Sequence, residues 1–189
     1  MSNSGNKHFD AVGSYLRPAE LKEARAKFAN NEISAEQLRA VEDRLIEDVI
    51  KKQKAHGLHY ITDGEFRRSY WHLDFMWGFG GVEHIELDHG YQFHGEETTK
   101  GSLKLTDKIT GSGHPFIKDF LFVKQFEEEG VEAKLTIPAP AQFLAELFRG
   151  DNSKNTREFY PNNEELIHDI AEAYRTFFRE IHAAGCNTV

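Results

Sequence analysis

A single cysteine, Cys186, rules out any disulfide within the chain, and a reducing, cytoplasmic setting is the simplest expectation. Bases are scarce beside acids, 23 Lys and Arg against 31 Asp and Glu. That balance is wrong for nucleic acid, which asks for clustered cations, and for an anionic membrane surface, so neither is expected as a partner. No apolar run approaches the roughly 20 residues of a spanning helix. Residues 1–7 lack the apolar stretch of a secretory signal and read as a disordered lead-in. The ten histidines show neither the paired spacing of a helical metal site nor a zinc motif, so no metal ligand is expected among them.

The 189 residues suffice for one domain with a sizeable core. Pro18 opens a helix over Ala19 to Phe28. Ser34 with Gln37 makes a capping-box pattern, and Leu38, Val41, Leu45 and Val49 share one face of the helix that follows. Gly57 stops it, and the apolar Leu58 to Ile61 reads as a strand. The same order of helix, glycine and short apolar run recurs at Gly130 and Gly185. The second helix carries Phe116, Phe120, Val123 and Phe126, the third Leu166, Ile170, Tyr174, Phe177 and Ile181. Repeats of this kind build a parallel sheet with helices outside. Pro138 and Pro140 end a strand and lead into a helix over Ala141 to Phe148, and Gly150 to Asn163 reads as a polar loop.

Strands are expected near His8–Val12, Leu58–Ile61, Ala133–Ile137 and Cys186–Val189. Between the second and third lies an aromatic, glycine-rich stretch, Tyr70 to Gly81, then alternating residues that read as a β-hairpin over about 82–110. The hairpin is either a wall of the site or a packing ornament. The fold class is α/β, a (β/α)8 TIM-barrel type with about four βα units and a hairpin after strand 2, filling residues 8–189. A chain that stops in a buried strand reads as the first half of a larger barrel, as a fragment or as one part of a split protein.

The chemistry gathers at Ile61-Thr62-Asp63-Gly64-Glu65-Phe66-Arg67-Arg68. Ligands sit at the carboxyl ends of strands in such folds, so this strand delivers carboxylates where binding happens. A solvated Asp-Gly turn fits the same residues.

Val12-Gly13-Ser14, Asp63-Gly64-Glu65 and Thr136-Ile137-Pro138-Ala139-Pro140, in that order, with Leu16-Arg17-Pro18 and Glu65-Phe66-Arg67-Arg68-Ser69, resemble cobalamin-independent methionine synthase, most closely its short, single-barrel bacterial members. The resemblance implies methyl transfer from a methyl-folate to the thiol of homocysteine, giving methionine, with zinc binding the thiol. It implies that Val12, Gly13 and Ser14 hold the amino-acid end of homocysteine and that Glu65 pairs with its ammonium group. Thr98 and Thr99 fall where the family contacts folate, but an arginine of the long members is missing there, and Leu144 stands near the place of a folate-stacking tryptophan. Another methyl donor therefore stays open. The family's zinc ligands belong to the half of the barrel outside this sequence, and Cys186, four residues after His182, is assigned to packing. The catalytic residues are unassigned and a homo-oligomer stays open. The alternatives are a related barrel with another thiol alkyl transfer, a porphyrin decarboxylase-like reaction in which Arg17, Arg67 and Arg68 meet carboxylates, and a non-catalytic half that acts by pairing.

Overall fold

The computed structural model describes residues 10–88, 92–93, 96–97 and 100–189. In chain order these form α1 (Ala19–Ala29), α2 (Ala35–Ala55), β1 (Tyr60–Ile61), α3 (Leu73–Met76), β2 (Gly80–Glu86), β3 (Gln92–Phe93), β4 (Glu96–Glu97), β5 (Gly101–Thr110), α4 (Phe116–Lys124), β6 (Glu132–Ala133), α5 (Pro140–Leu147), α6 (Asn152–Phe159) and α7 (Asn163–Ala183). This is an α/β chain rich in helix and sparing of strand. The expected lead-in, residues 1–7, lies outside the described residues. Two compact units emerge, one holding residues up to Ser69 with Lys118–Thr136 and Cys186–Val189, the other Tyr70–Ile117 with Ile137–Gly185.

In the first unit the capping box is in place. Ser34 Oγ accepts from Gln37 N at 3.3 Å, and Ser34 N donates to Gln37 Oε1 at 2.8 Å. Helix α2 buries Leu45, Ile46, Val49 and Ile50, and α1 buries Leu21 and Ala24. Strand β1 pairs with β6 in parallel, Tyr60 with Glu132 and Ile61 with Ala133, the sense that a helical crossover demands. Both strands are shorter than their apolar runs. Asp10 to Val12 and Cys186 to Val189 carry no strand, although Leu135 N donates to Thr188 O at 3.3 Å.

The last buried turn of α2 reaches the end of β1 through one side chain. Gln53, 1% exposed, donates Nε2 to Thr62 O at 2.8 Å and accepts at Oε1 from Thr62 N at 2.9 Å. Its carboxamide supplies Thr62 with the two bonds a neighbouring strand would give. Replacing Gln53 with Leu strands both backbone groups, and a loss of about 1–3 kcal/mol is expected. Chemical denaturation and faster amide exchange at Thr62 would register it; an unchanged midpoint would refute it.

In the second unit β2 and β5 form an antiparallel ribbon, with Val82 opposite Leu105 and Glu86 opposite Gly101. The register shifts between Gly80 and Val82. Gly81 allows that bulge with φ 79°, since a Cβ there would lie 2.4 Å from Lys108 O. Aromatic rings fill the interior. Phe75 sits within 5.0–5.6 Å, centroid to centroid, of Phe79, Phe116, Tyr174 and Phe177. His114 lies 4.4 Å from the Phe75 ring, with Nε2 at 2.9 Å from Phe75 O and Nδ1 accepting from Phe116 N at 3.2 Å. The α7 face is the expected one: Leu166, Ile170, Tyr174, Phe177 and Ile181 are all buried.

The stretch expected as a polar loop, Gly150 to Asn163, holds helix α6 instead. Its inner face is polar and therefore shows no apolar period. Thr156 Oγ1 donates to Leu147 O at 2.7 Å, and Asn152 Nδ2 donates to Glu146 O at 3.1 Å. Asn155 accepts from Leu105 N at 2.6 Å and donates to Leu105 O at 3.0 Å.

Candidate functional site

Beyond β1 the chain turns sharply. Thr62 Oγ1 accepts from Gly64 N at 3.1 Å, and Asp63 Oδ1 accepts from Glu65 N at 2.8 Å. The Asp63 carboxylate is thus spent on the turn, as aspartates often are. Gly64 and Glu65 both adopt left-handed backbone, φ 65° and 57°. Glycine does so freely. Glutamate does so at a cost of about 1–2 kcal/mol, which the surroundings must offset.

Two arginines supply that restraint. Arg17 Nη2 donates to Glu65 O at 3.1 Å and to Arg68 O at 2.8 Å. Arg25 donates to Phe66 O at 2.5 Å and to Arg68 O at 3.0 Å. Neither role follows from a motif; Arg17 stands just before α1 and Arg25 in its middle, and nothing local marks either.

The Glu65 side chain is buried, 5% exposed, and its two oxygens differ. Oε1 accepts from Arg68 Nη1 at 3.3 Å and from Thr136 Oγ1 at 3.1 Å. Arg68 Nη2 is fixed by Thr136 O at 2.7 Å. Oε2 takes no hydrogen bond from any described residue. One oxygen is anchored, and the other has no hydrogen bond among the described residues.

The segment before α1 lies against this turn. Tyr15 N donates to Gly64 O at 3.1 Å, and a Cβ on Gly64 would stand 3.1 Å from Tyr15 Cδ2. Gly13, φ 82°, bends the chain just ahead of that bond. Lys134, 8% exposed, pairs with Asp10 and donates to Ala11 O at 3.3 Å, so the segment is tied at both ends. Val12 is 83% exposed. Ser14 is exposed, and its hydroxyl has no hydrogen-bond partner among the described residues. Gly13 and Ser14 therefore share a neighbourhood with Glu65 through Tyr15. Lys134 went unnoticed in the sequence, where it sits inside an apolar strand pattern.

The remaining expected groups are accounted for differently. Thr98 and Thr99 lie outside the described residues. Leu144 lines an apolar groove of about 370 Å³ between α5 and α7, with Ile167, Tyr174 and Phe178. Arg67 faces Glu42 at 3.1 Å, Asp119 at 3.3 Å and Asp43. With Arg17 and Arg68 bound to carbonyls and to Glu65, these guanidinium groups have partners inside the protein, which takes support from the porphyrin reading.

Zinc, which the family implies, does not fit the described residues. No three His, Cys, Asp or Glu among them could hold a metal ion together. Cys186 is buried, its Sγ lies 3.3 Å from Thr188 O, and burial pushes the thiol pKa up, which disfavours a thiolate ligand.

The described elements are those of an α/β protein similar to a methionine synthase barrel fragment. The sequence model of the family "Cobalamin-independent synthase, Catalytic domain" matches residues 10–106, more than half of the chain, and the chain belongs to that family. It is 42% identical over 177 residues to the uncharacterized protein YxjH of Bacillus subtilis, covering 94% of this chain and 45% of that one. A solved structure from Listeria monocytogenes, proposed to be a vitamin-B12-independent methionine synthase, superposes with TM-score 0.74 at 38% identity, over 95% of this chain and 49% of that one. The methionine synthase of Sulfurisphaera tokodaii is 27% identical over 183 residues, 94% of this chain and 49% of that protein. The chain thus spans about half the length of these relatives. Among the described residues no helix is long and apolar enough to cross a membrane.

Proposed function

We propose that this chain supplies the amino-acid-binding part of a methyltransferase that moves a methyl group to the thiol of homocysteine, giving methionine. The carrying observation is the Glu65 carboxylate, buried at a strand end with Oε1 anchored and Oε2 without a hydrogen bond among the described residues. A charge-assisted bond from an ammonium group to such an oxygen is short and strong. The Gly13–Ser14 backbone and the unpartnered Ser14 hydroxyl lie beside the same turn and meet the amino acid's other end, with Val12 completing the segment. The work of these residues is binding and orientation, which lowers the entropic cost of reaction. Zinc, when bound in this family, favours the thiolate; no three described residues form a site for it.

The same proposal includes the finer architecture: residues 8–189 as the first half of a (β/α)8 barrel, with the hairpin of about 82–110 set into a βα loop. A methyl-folate or another methyl donor, and a cytoplasmic setting, belong to it too. Support comes from the parallel β1–β6 pair and from the family itself.

The test is calorimetric titration of the chain with L-homocysteine. Glu65→Gln removes the charge, keeps the shape and should weaken binding about tenfold or more, because a hydrogen bond to a charged group contributes about 1.5–3 kcal/mol. Equal affinities in the two proteins would overturn the reading.

A further inference from the structure

Helix α7 carries more apolar surface than its own unit covers. One stripe, with Leu166, Ile170, Tyr174, Phe177 and Ile181, is buried. A second stripe adjoins it, Ile167, Ala171 and Phe178, at steps of four and seven that fall on one helix face. Ile167 is 51% exposed and Phe178 43%. With Pro140, Ala141 and Leu144 of α5 this second stripe lines the groove of about 370 Å³.

The groove has little to offer a small polar ligand. Arg175 lines it but pairs with Glu172 on its own helix. The Tyr174 hydroxyl donates to Pro138 O at 3.0 Å. A ligand pocket fixes its guest through a few convergent polar groups, and these two are already engaged. An anionic lipid surface is opposed by Glu164, Glu165, Asp169 and Glu172 along the first half of α7. What remains is a row of apolar side chains. Such a row fits the face of an amphipathic helix whose anchors recur every three or four residues.

The relatives point to the source of that helix. YxjH matches 94% of this chain at 42% identity, yet the match fills 45% of YxjH. The Listeria structure is covered over 49% of its length. In these proteins a comparable length of polypeptide accompanies the part matched here. An apolar helix face is stable only when another element buries it.

We infer that the α5–α7 groove seats an apolar helix from the half of the family fold that this chain does not span. This rests on the reading of residues 8–189 as one half of a larger barrel. It adds the face through which the two halves join.

The test is co-expression of the chain with the part of Bacillus subtilis YxjH that it does not match, with an affinity tag on that part alone. The unaltered chain should co-purify in equimolar amount. The double variant Ile167→Asp, Phe178→Asp sets two charges in the groove. It should lower the recovered chain about tenfold or more, the scale of losing interface anchors. Ile167→Lys alone should lower it less. Leu121→Asp, on α4 and 47% exposed, sets the same charge outside the groove and should leave recovery unchanged. Circular dichroism of the isolated chains verifies folding. Should the double variant not fold, Ile167→Lys decides, since it changes one exposed side chain.

Equal recovery of the groove variants and the unaltered chain would overturn the inference and leave the half-barrel reading standing, because the halves would then join elsewhere. An equal loss for Leu121→Asp would overturn it too. No recovery even of the unaltered chain would overturn both. Light scattering that shows the chain alone to be a dimer, dispersed by Ile167→Lys, would give the groove to a second copy and overturn the inference.

Discussion

Arg67→Ala is expected to cost about 3–5 kcal/mol of stability, because it removes the most buried of the three cations, with Arg25 and Arg39, that answer Glu42, Asp43 and Asp119, and leaves an acid without its share. The Arg67 side chain is 6% exposed and stands against Glu42 at 3.1 Å, Asp119 at 3.3 Å and Asp43, with its guanidinium 5.0 Å from the Phe122 ring centre. Burial raises the pKa of Glu42 above the usual carboxylate range, and Arg67 is the main group pulling it back down. Without Arg67 the Glu42 pKa climbs further. A carboxyl whose folded pKa lies above its unfolded value favours folding when protonated, and that favour is lost as pH rises through the folded value. The Arg67→Ala deficit should therefore be largest at neutral pH and shrink on acidification. Urea melts of both proteins at pH 7 and pH 5 would show it. A deficit that grows toward pH 5 would refute the assignment.

Phe75→Ala should cost about 3–5 kcal/mol as well, by a different route. Phe75 is 0% exposed and touches rings on every side, among them Phe79, Phe116, Tyr174, Phe177 and His114. Alanine there leaves a void that five fixed rings cannot close without leaving their rotamers. Thermal melting followed by near-ultraviolet circular dichroism would detect both the lower midpoint and the loss of aromatic asymmetry. Phe75→Leu should recover a good part of the loss, since much of the volume returns. A midpoint within about 2 °C of the parent for the alanine variant would contradict this packing.

The difference between what was legible in the sequence and what was not follows from the kind of interaction. The α2 cap was legible because Ser34 and Gln37 act on backbone three residues away. The α7 face was legible because Leu166, Ile170, Tyr174, Phe177 and Ile181 repeat with the helical period. Helix α6 was not, since Asn152, Asn155 and Thr156 turn inward to bond backbone groups and present no apolar stripe. Glu65 stood out by its place after a strand and beside a glycine. Its left-handed backbone, its pairing with Arg68 and Thr136, and the restraint by Arg17 depend on residues 3 to 71 positions away, which no local pattern encodes. The ends of the expected strands failed for a related reason: apolar runs mark burial, while ladder pairing depends on a neighbour.

The carboxamide fork on α6 has a consequence for the ageing of the protein. Asn155 reads both the N–H and the C=O of Leu105, so it needs one donor and one acceptor in fixed places. Spontaneous deamidation would turn its NH2 into an oxygen and set a negative charge against the Leu105 carbonyl. The β5 strand would then lose its clasp to α6 through a change of one dalton, and storage at alkaline pH would act as a clock on that seam.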